Sequence, residues 1–305
     1  KYLLCKHNCG VSCFVLEFNF IERSFMNEGL NVLSLFDGMS AGMIALERAG
    51  IKVKNYYASE IDKHAIKVSK ANYPNIIQIG DVTSVDVSTL PKIDLLIGGS
   101  PCQSISTLGD GSGLEGTSGL FYQYLRLKQE LNPKYFLLEN VVGNKEAIKT
   151  ISKLMQVEPI LINSNLLSAQ NRARYYWTNI PVEPPQSKDI KLIDVLDENP
   201  KSSCELSEAR LRWLLSDKGQ ECLKKRYASL DPEKASCLTA RSDASWNCNY
   251  VTRNGKITKL TCEEYEKLQT VPVGYTSCVS DSQRYKMLGN GWTVDVIAHI
   301  FQGLK

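Results

Sequence analysis

Asn31-Val32-Leu33-Ser34-Leu35-Phe36-Asp37-Gly38-Met39-Ser40-Ala41-Gly42 passes from an apolar run through a glycine turn into a helical pattern. Asn31 to Phe36 reads as a buried strand, and Ala41 to Arg48 as a helix opened by the turn. Working outward, Tyr56 to Ser59 reads as a second strand, followed by a helix from His64 to Asn72 that Pro74 stops. Ile76 to Ile79, Ile93 to Ile97 and Tyr135 to Leu138 supply three more strands. Strands that alternate with helices predict an α/β fold built on a doubly wound, mostly parallel sheet. Such sheets bind ligands beyond the carboxyl ends of their strands.

The residues at those ends have a consistent chemistry. The turn Phe36 to Gly42 brings backbone close to a ligand at a helix N-terminus. Glu60, closing the second strand, can accept both hydroxyls of a ribose. Asp81, after the third strand, can accept from an adenine amino group while Val82 covers the ring. No Gly-Lys-Ser/Thr element and no Gly-x-Gly-x-x-Gly appears. The expected ligand is therefore a nucleoside without a pyrophosphate, which points to S-adenosylmethionine.

A second group of residues follows the same rule. Leu95-Leu96-Ile97-Gly98-Gly99-Ser100-Pro101-Cys102-Gln103-Ser104 sets a cysteine behind a proline just after the fourth strand. An unperturbed thiol titrates near ~8.5, so a nucleophilic role asks for helix-end amides or arginines nearby. The polar, glycine-rich stretch from Gln103 to Gly119 has the composition of a lid. Glu139 follows Phe136-Leu137-Leu138, which places its carboxylate at a strand end beside the same cleft. Arg172 and Arg174 lie two apart in a strand-like segment, hence on one face, where they could grip a base and a phosphate.

Composition bounds the rest. The chain has 305 residues, 43% of them hydrophobic, and a net charge of +3. It can bury a full core, expected as one large domain and a smaller one. Contact with nucleic acid must come from a local patch. No apolar run reaches the ~20 residues of a membrane helix, and ten scattered cysteines predict reduced thiols in an intracellular protein. Cys5, His7, Cys9 and Cys13 lack a second ligand cluster at zinc spacing, so no metal is expected. Residues 1–26 read as an N-terminal extension before a start-like Met26.

With these residues in place, the chain resembles the cytosine-5 DNA methyltransferase family from Asn31 to Lys305. That resemblance implies a Rossmann-like methyltransferase fold. It assigns Phe36, Asp37, Gly38, Met39, Gly42, Glu60, Ile61, Asp81, Val82, Ser100 and Pro101 to S-adenosylmethionine, together with Asn290, Gly291 and Trp292 of the closing motif Leu288 to Val294. It makes Cys102 the nucleophile and gives Glu139, Asn140, Arg172 and Arg174 catalytic roles. Thr261 to Pro272, with Glu264, Leu268 and Gln269, looks like the segment that organises the recognition domain. Ala169 to Trp177 and the ending from Trp292 look most similar to the de novo CpG type. The implied organisation is a catalytic and cofactor-binding domain over 27–180, a target-recognition region over 181–260 and a returning segment over 261–305.

The chemistry of cytosine supplies a mechanism. C5 is a poor nucleophile until Cys102 adds to C6 while Glu139, protonated, donates to N3. Asn140 and Arg174 would hold the base edge and phosphate. Since C6 is buried in a stacked duplex, the base must be flipped out. Duplex DNA is the expected partner, and the sequence does not choose between a monomer and a homo-oligomer. Gln103, Ser104 and Arg241 are the expected DNA contacts, Arg241 because an arginine fork can take O6 and N7 of a guanine. Two rivals remain: a tRNA cytosine-5 methyltransferase, whose Cys-Phe-Thr segment is partly matched by Cys237-Leu238-Thr239, and a silent regulatory paralogue. The second would be expected to have lost Cys102 or the acids, and all are present.

Overall fold

Residues 29–100, 119–225, 229–241 and 249–305 are described by the computed structural model of the protein. Seven strands form one sheet: β1 (Leu30–Leu35), β2 (Val53–Ser59), β3 (Ile77–Gln78), β4 (Leu95–Gly99), β5 (Tyr135–Val141), β6 (Ile160–Asn163) and β7 (Ala173–Thr178). Their order is β3-β2-β1-β4-β5-β7-β6. Strands β1 to β5 pair in parallel, and β7 runs against both of its neighbours. The α/β class and the mostly parallel sheet match the reading of the sequence.

Alternation along each strand divides the core into two layers. Val32, Leu95, Ile97 and Leu137 face one side. They pack there with α1 (Ala41–Ala49), α2 (Lys63–Asn72) and the late helix α9 (Val294–Phe301). Leu33, Leu35, Leu96 and Leu138 face the other side, under α3 (Leu120–Leu131) and α4 (Lys145–Met155). Local chemistry sets the helix ends. Gly50 at φ +72° closes α1, its N–H reaching Glu47 O and Leu46 O. Asp62 caps α2 by accepting from His64 N at 2.9 Å.

The region between β7 and α7 (Cys262–Leu268) builds a smaller unit. Helices α5 (Glu208–Leu215) and α6 (Asp217–Lys225) meet the hairpin β8 (Tyr250–Arg253) and β9 (Lys256–Lys259) around Leu214, Leu223 and Tyr250. The hairpin turns on Asn254 and Gly255, both at positive φ, the pairing that a tight two-residue turn requires. Helix α8 (Asp281–Asn290) then leads back to the sheet. No helix among the described residues is long and apolar enough to cross a membrane.

Three details differ from the sequence reading. Strand β4 starts at Leu95 and runs through Gly98 and Gly99, because Gly99 still pairs with Glu139 on β5. Strand β5 continues to Val141, so Glu139 and Asn140 lie within it, held by the ladder to Tyr176 and Tyr175 on β7. Arg172 precedes β7, which begins at Ala173.

Candidate active site

A cavity of about 1150 Å³ opens along the carboxyl ends of β1, β2, β4 and β5. Its first wall is the turn after β1. Phe36 and Ser40 take left-handed backbone, at φ +56° and +63°, and turn the chain from strand into α1. Asp37 sits buried beneath this turn and accepts from Tyr56 Oη at 2.7 Å and Ser40 Oγ at 2.5 Å. Burial raises Asp37 to about 6, with the hydroxyls of Ser34, Ser40 and Tyr56 pulling the other way.

Glu60 ties the second wall to the first. Its Oε2 accepts from Gly38 N at 2.7 Å, and its Oε1 from Ile61 N and Asp62 N at 2.7 and 2.8 Å. Ile61 stands out at the mouth with 75% of its surface exposed, an uncovered apolar face beside an acid. Asp81 caps a short 3-10 turn through Thr83 N at 2.9 Å, and Val82 is buried behind it. A nucleoside of the S-adenosylmethionine type fits this donor set: an acid for a ribose and an apolar face for a purine ring.

The third wall comes from far along the chain. Asn290, Gly291 and Trp292 line the cavity at the end of α8. Trp292 Nε1 donates to Glu139 Oε2 at 3.2 Å, and Arg174 Nε pairs with Glu139 Oε1 at 2.9 Å. Gly99 makes this meeting possible, since a Cβ there would lie 2.8 Å from Glu139 Oε2 and 2.9 Å from Trp292 Nε1. A buried amide relay supports the arginines. Thr293 Oγ1 donates to Gln269 Oε1 at 2.8 Å, Gln170 Nε2 donates to the same oxygen at 3.2 Å, and Leu238 N donates to Gln170 Oε1 at 2.9 Å.

The structure brings most of the expected residues to one cavity: Phe36, Asp37, Gly38, Met39, Glu60, Ile61, Asp81, Val82 and Ser100, with Glu139, Asn140, Arg172 and Arg174. Gly42 is not among them. It lies under α1, where a Cβ would come within 2.6 Å of Ile97 Cδ1 and 2.7 Å of Tyr56 Oη, so its smallness serves helix-to-sheet packing. Asn140 also differs from expectation. It is 1% exposed, donates Nδ2 to Ser100 Oγ at 3.0 Å and accepts from Val141 N through Oδ1 at 2.8 Å, which anchors the strand end. The guanidinium of Arg174 is taken up by Glu139 and by Cys237 Sγ rather than standing open for a phosphate. Arg241 is exposed and lies outside the cavity lining. Pro101, Cys102, Gln103, Ser104, most of the expected lid and residues 1–26 lie outside the described residues.

Two features of the cavity escape the sequence reading. Lys286 on α8 pairs with Asp62 at 2.7 Å across the mouth. Cys237 reaches both arginines from the small unit. Neither has a local signal, since each pairing joins segments remote in sequence.

A family profile described as C-5 cytosine-specific DNA methylase matches residues 30–184 and 203–305. The orphan methyltransferase M.SPRI of Bacillus phage SPR is 35% identical over 215 residues, which is 64% of this chain and 49% of that protein. The chain thus spans about half the length of that relative. The type II methyltransferase M.NlaX of Neisseria lactamica is 28% identical over 299 residues, covering 90% of this chain and 96% of its own. Among solved structures, the methyltransferase EhMeth of Entamoeba histolytica matches with a TM-score of 0.73 at 19% identity, over 91% of this chain and 99% of that one. At that identity the likeness is one of fold.

Proposed function

The chain belongs to the C-5 cytosine-specific DNA methylase family, and on that premise we propose that it transfers a methyl group from S-adenosylmethionine to C5 of a flipped-out cytosine in duplex DNA. The observation that carries this reading is the meeting of two chemistries in one cavity. Glu60 and Ile61 offer a nucleoside site, and Glu139 with Arg172 and Arg174 offers an acid and two cations within the same walls. Ser100, two residues before Cys102, lines that cavity too. When bound, S-adenosylmethionine supplies a methyl group on a positively charged sulfur.

The chain's own residues do the rest. The Cys102 thiolate adds to C6, and a proton passes from Glu139 to N3, so the electrons of the ring collect at C5. After C5 gains the methyl group a base takes its proton, the C6–sulfur bond breaks and Cys102 leaves. Asn140 holds Ser100, and through it the start of the segment bearing the nucleophile. Trp292 and Arg174 fix the carboxylate of Glu139 against Gly99. Gln103, Ser104 and Arg241 are the DNA contacts of this reading, and the smaller unit over 181–260 is its recognition region. The similarity of Ala169 to Trp177 and of Trp292 to the de novo CpG type supports a place near that subgroup.

The tRNA reading draws on Cys237-Leu238-Thr239, with leucine in place of phenylalanine. Incubation with methyl-labelled S-adenosylmethionine separates the two. Label is expected in C5 of cytosine in unmethylated duplex DNA, and label confined to tRNA would replace the DNA reading.

The nucleoside site has its own test. Glu60→Ala and Asp81→Ala are each expected to weaken S-adenosylmethionine binding by about 1–3 kcal/mol, the scale of a lost hydrogen bond to a charged group. Calorimetry on the full chain reads this directly, and unchanged affinity in both variants would remove the pocket assignment.

A further inference from the structure

Cys237 is a nucleophilic group in the cavity wall that the proposed reaction does not use. It follows the smaller unit's entry into the site, between Ser236, whose N–H donates to Asn249 Oδ1 at 2.8 Å, and Leu238, whose N–H is held by Gln170 at 2.9 Å. Its Sγ lies 3.4 Å from Arg172 Nη1 and 3.7 Å from Arg174 Nη2. Burial pushes this thiol up, but the two guanidiniums outweigh burial and hold Cys237 below the ordinary thiol value.

The surrounding charges explain why an anion belongs here. Arg172 is fixed by the carbonyls of Leu238 and Gly291, each at 2.9 Å, while its buried Nε has no acceptor. Arg174 gives its Nε to Glu139. Tyr176 on β7 is raised by burial and by the charge of Glu139, so it stays neutral. Among the described residues, the cluster therefore sets two cations against one carboxylate. A buried charge without a counter-ion is strongly unfavourable.

We propose that Cys237 is a positioning residue of the methyl-transfer site: carried as a thiolate, its sulfur is the counter-ion that sets Arg172 and Arg174 in the cavity wall. This rests on the methyl-transfer reading for its purpose. Glu139 must take up a proton to serve N3, and at that moment the thiolate is the anion left to hold Arg174.

Two measurements on the full chain test it. The first is alkylation by iodoacetamide as a function of pH, read on the tryptic peptide Ala235–Arg241, whose sole cysteine is Cys237. A midpoint below the ~8.5 of a free thiol is expected, and a midpoint at or above that value overturns the proposal. The second compares Cys237→Asp with Cys237→Asn, which match in size and differ in charge. The asparagine variant is expected to lose about tenfold or more in kcat, the equivalent of one strong charge-assisted bond. S-adenosylmethionine affinity stays level, and the aspartate variant keeps most of the rate. Equal losses in both variants overturn the proposal. A wild-type chain that methylates no cytosine defeats the functional reading instead, and the alkylation midpoint still decides whether Cys237 is a thiolate.

Discussion

Cys102→Ala is expected to abolish methyl transfer to duplex DNA, a fall of at least ~10³-fold, while S-adenosylmethionine still binds. The asymmetry follows from what each group touches. Covalent addition at C6 is the step that makes C5 nucleophilic, and an alanine side chain cannot make it. In the proposed reading the adenosine portion of the cofactor is met instead by the walls that Glu60, Ile61 and Asp81 build. A duplex carrying 5-fluorocytosine gives the positive control. Fluorine at C5 cannot leave as a proton does, so the base has nothing to remove and the C6–sulfur bond persists. The wild type should form a protein–DNA adduct resistant to denaturant, and Cys102→Ala should form none. Methylation by the alanine variant would sink the nucleophile assignment.

Glu264→Ala should be the costliest single change to stability. Glu264 is fully buried at the start of α7, where it completes a capping box with Thr261. Its Oε1 accepts from Asp197 N at 2.7 Å, its Oε2 accepts from Thr261 N at 2.7 Å, and the guanidinium of Arg253 pairs with both oxygens. Removing the carboxylate leaves a buried guanidinium without its partner, a loss of about 3–5 kcal/mol. For a chain of this size that is a fall on the order of 10 °C in Tm. The joint variant Arg253→Met with Glu264→Leu should recover only part of it, since no charge is stranded but the N–H groups of Asp197 and Thr261 lose their acceptor. Calorimetry showing Glu264→Ala within about 1 °C of wild type would refute this account.

The sequence carried the parallel half of the fold well, for physical reasons. Each strand from β1 to β5 is a short apolar run closed by glycine or an acid, and each of the first helices carries its own stop in Gly50 or Pro74. What lay beyond local pattern was direction. Nothing in Ala173-Arg174-Tyr175-Tyr176 says that β7 runs against β5, and that reversal is what delivers Arg174 to the carboxyl end of β5. The site was legible in its residue types but less so in their duties. Asn140 looks like a hand for a base until Ser100 is seen beside it, and Arg174 like a phosphate grip until Glu139 is. Gly42 reads as a ligand glycine because a glycine gives no sign of whether substrate or a neighbouring side chain needs the space.

The cavity's first and third walls, at Phe36 to Met39 and Asn290 to Trp292, also set a timetable for the protein's birth. A ribosome adding about 5–20 residues per second needs on the order of ten seconds or more to pass from one to the other. Until then, the layer of Ile44, Ala45 and Leu46 that α9 covers is open to water and to other chains. Pairings between such distant segments also form slowly once both have been synthesised. A message cut before Val294 therefore yields a sticky product with an unfinished pocket, one for chaperones and proteases to collect.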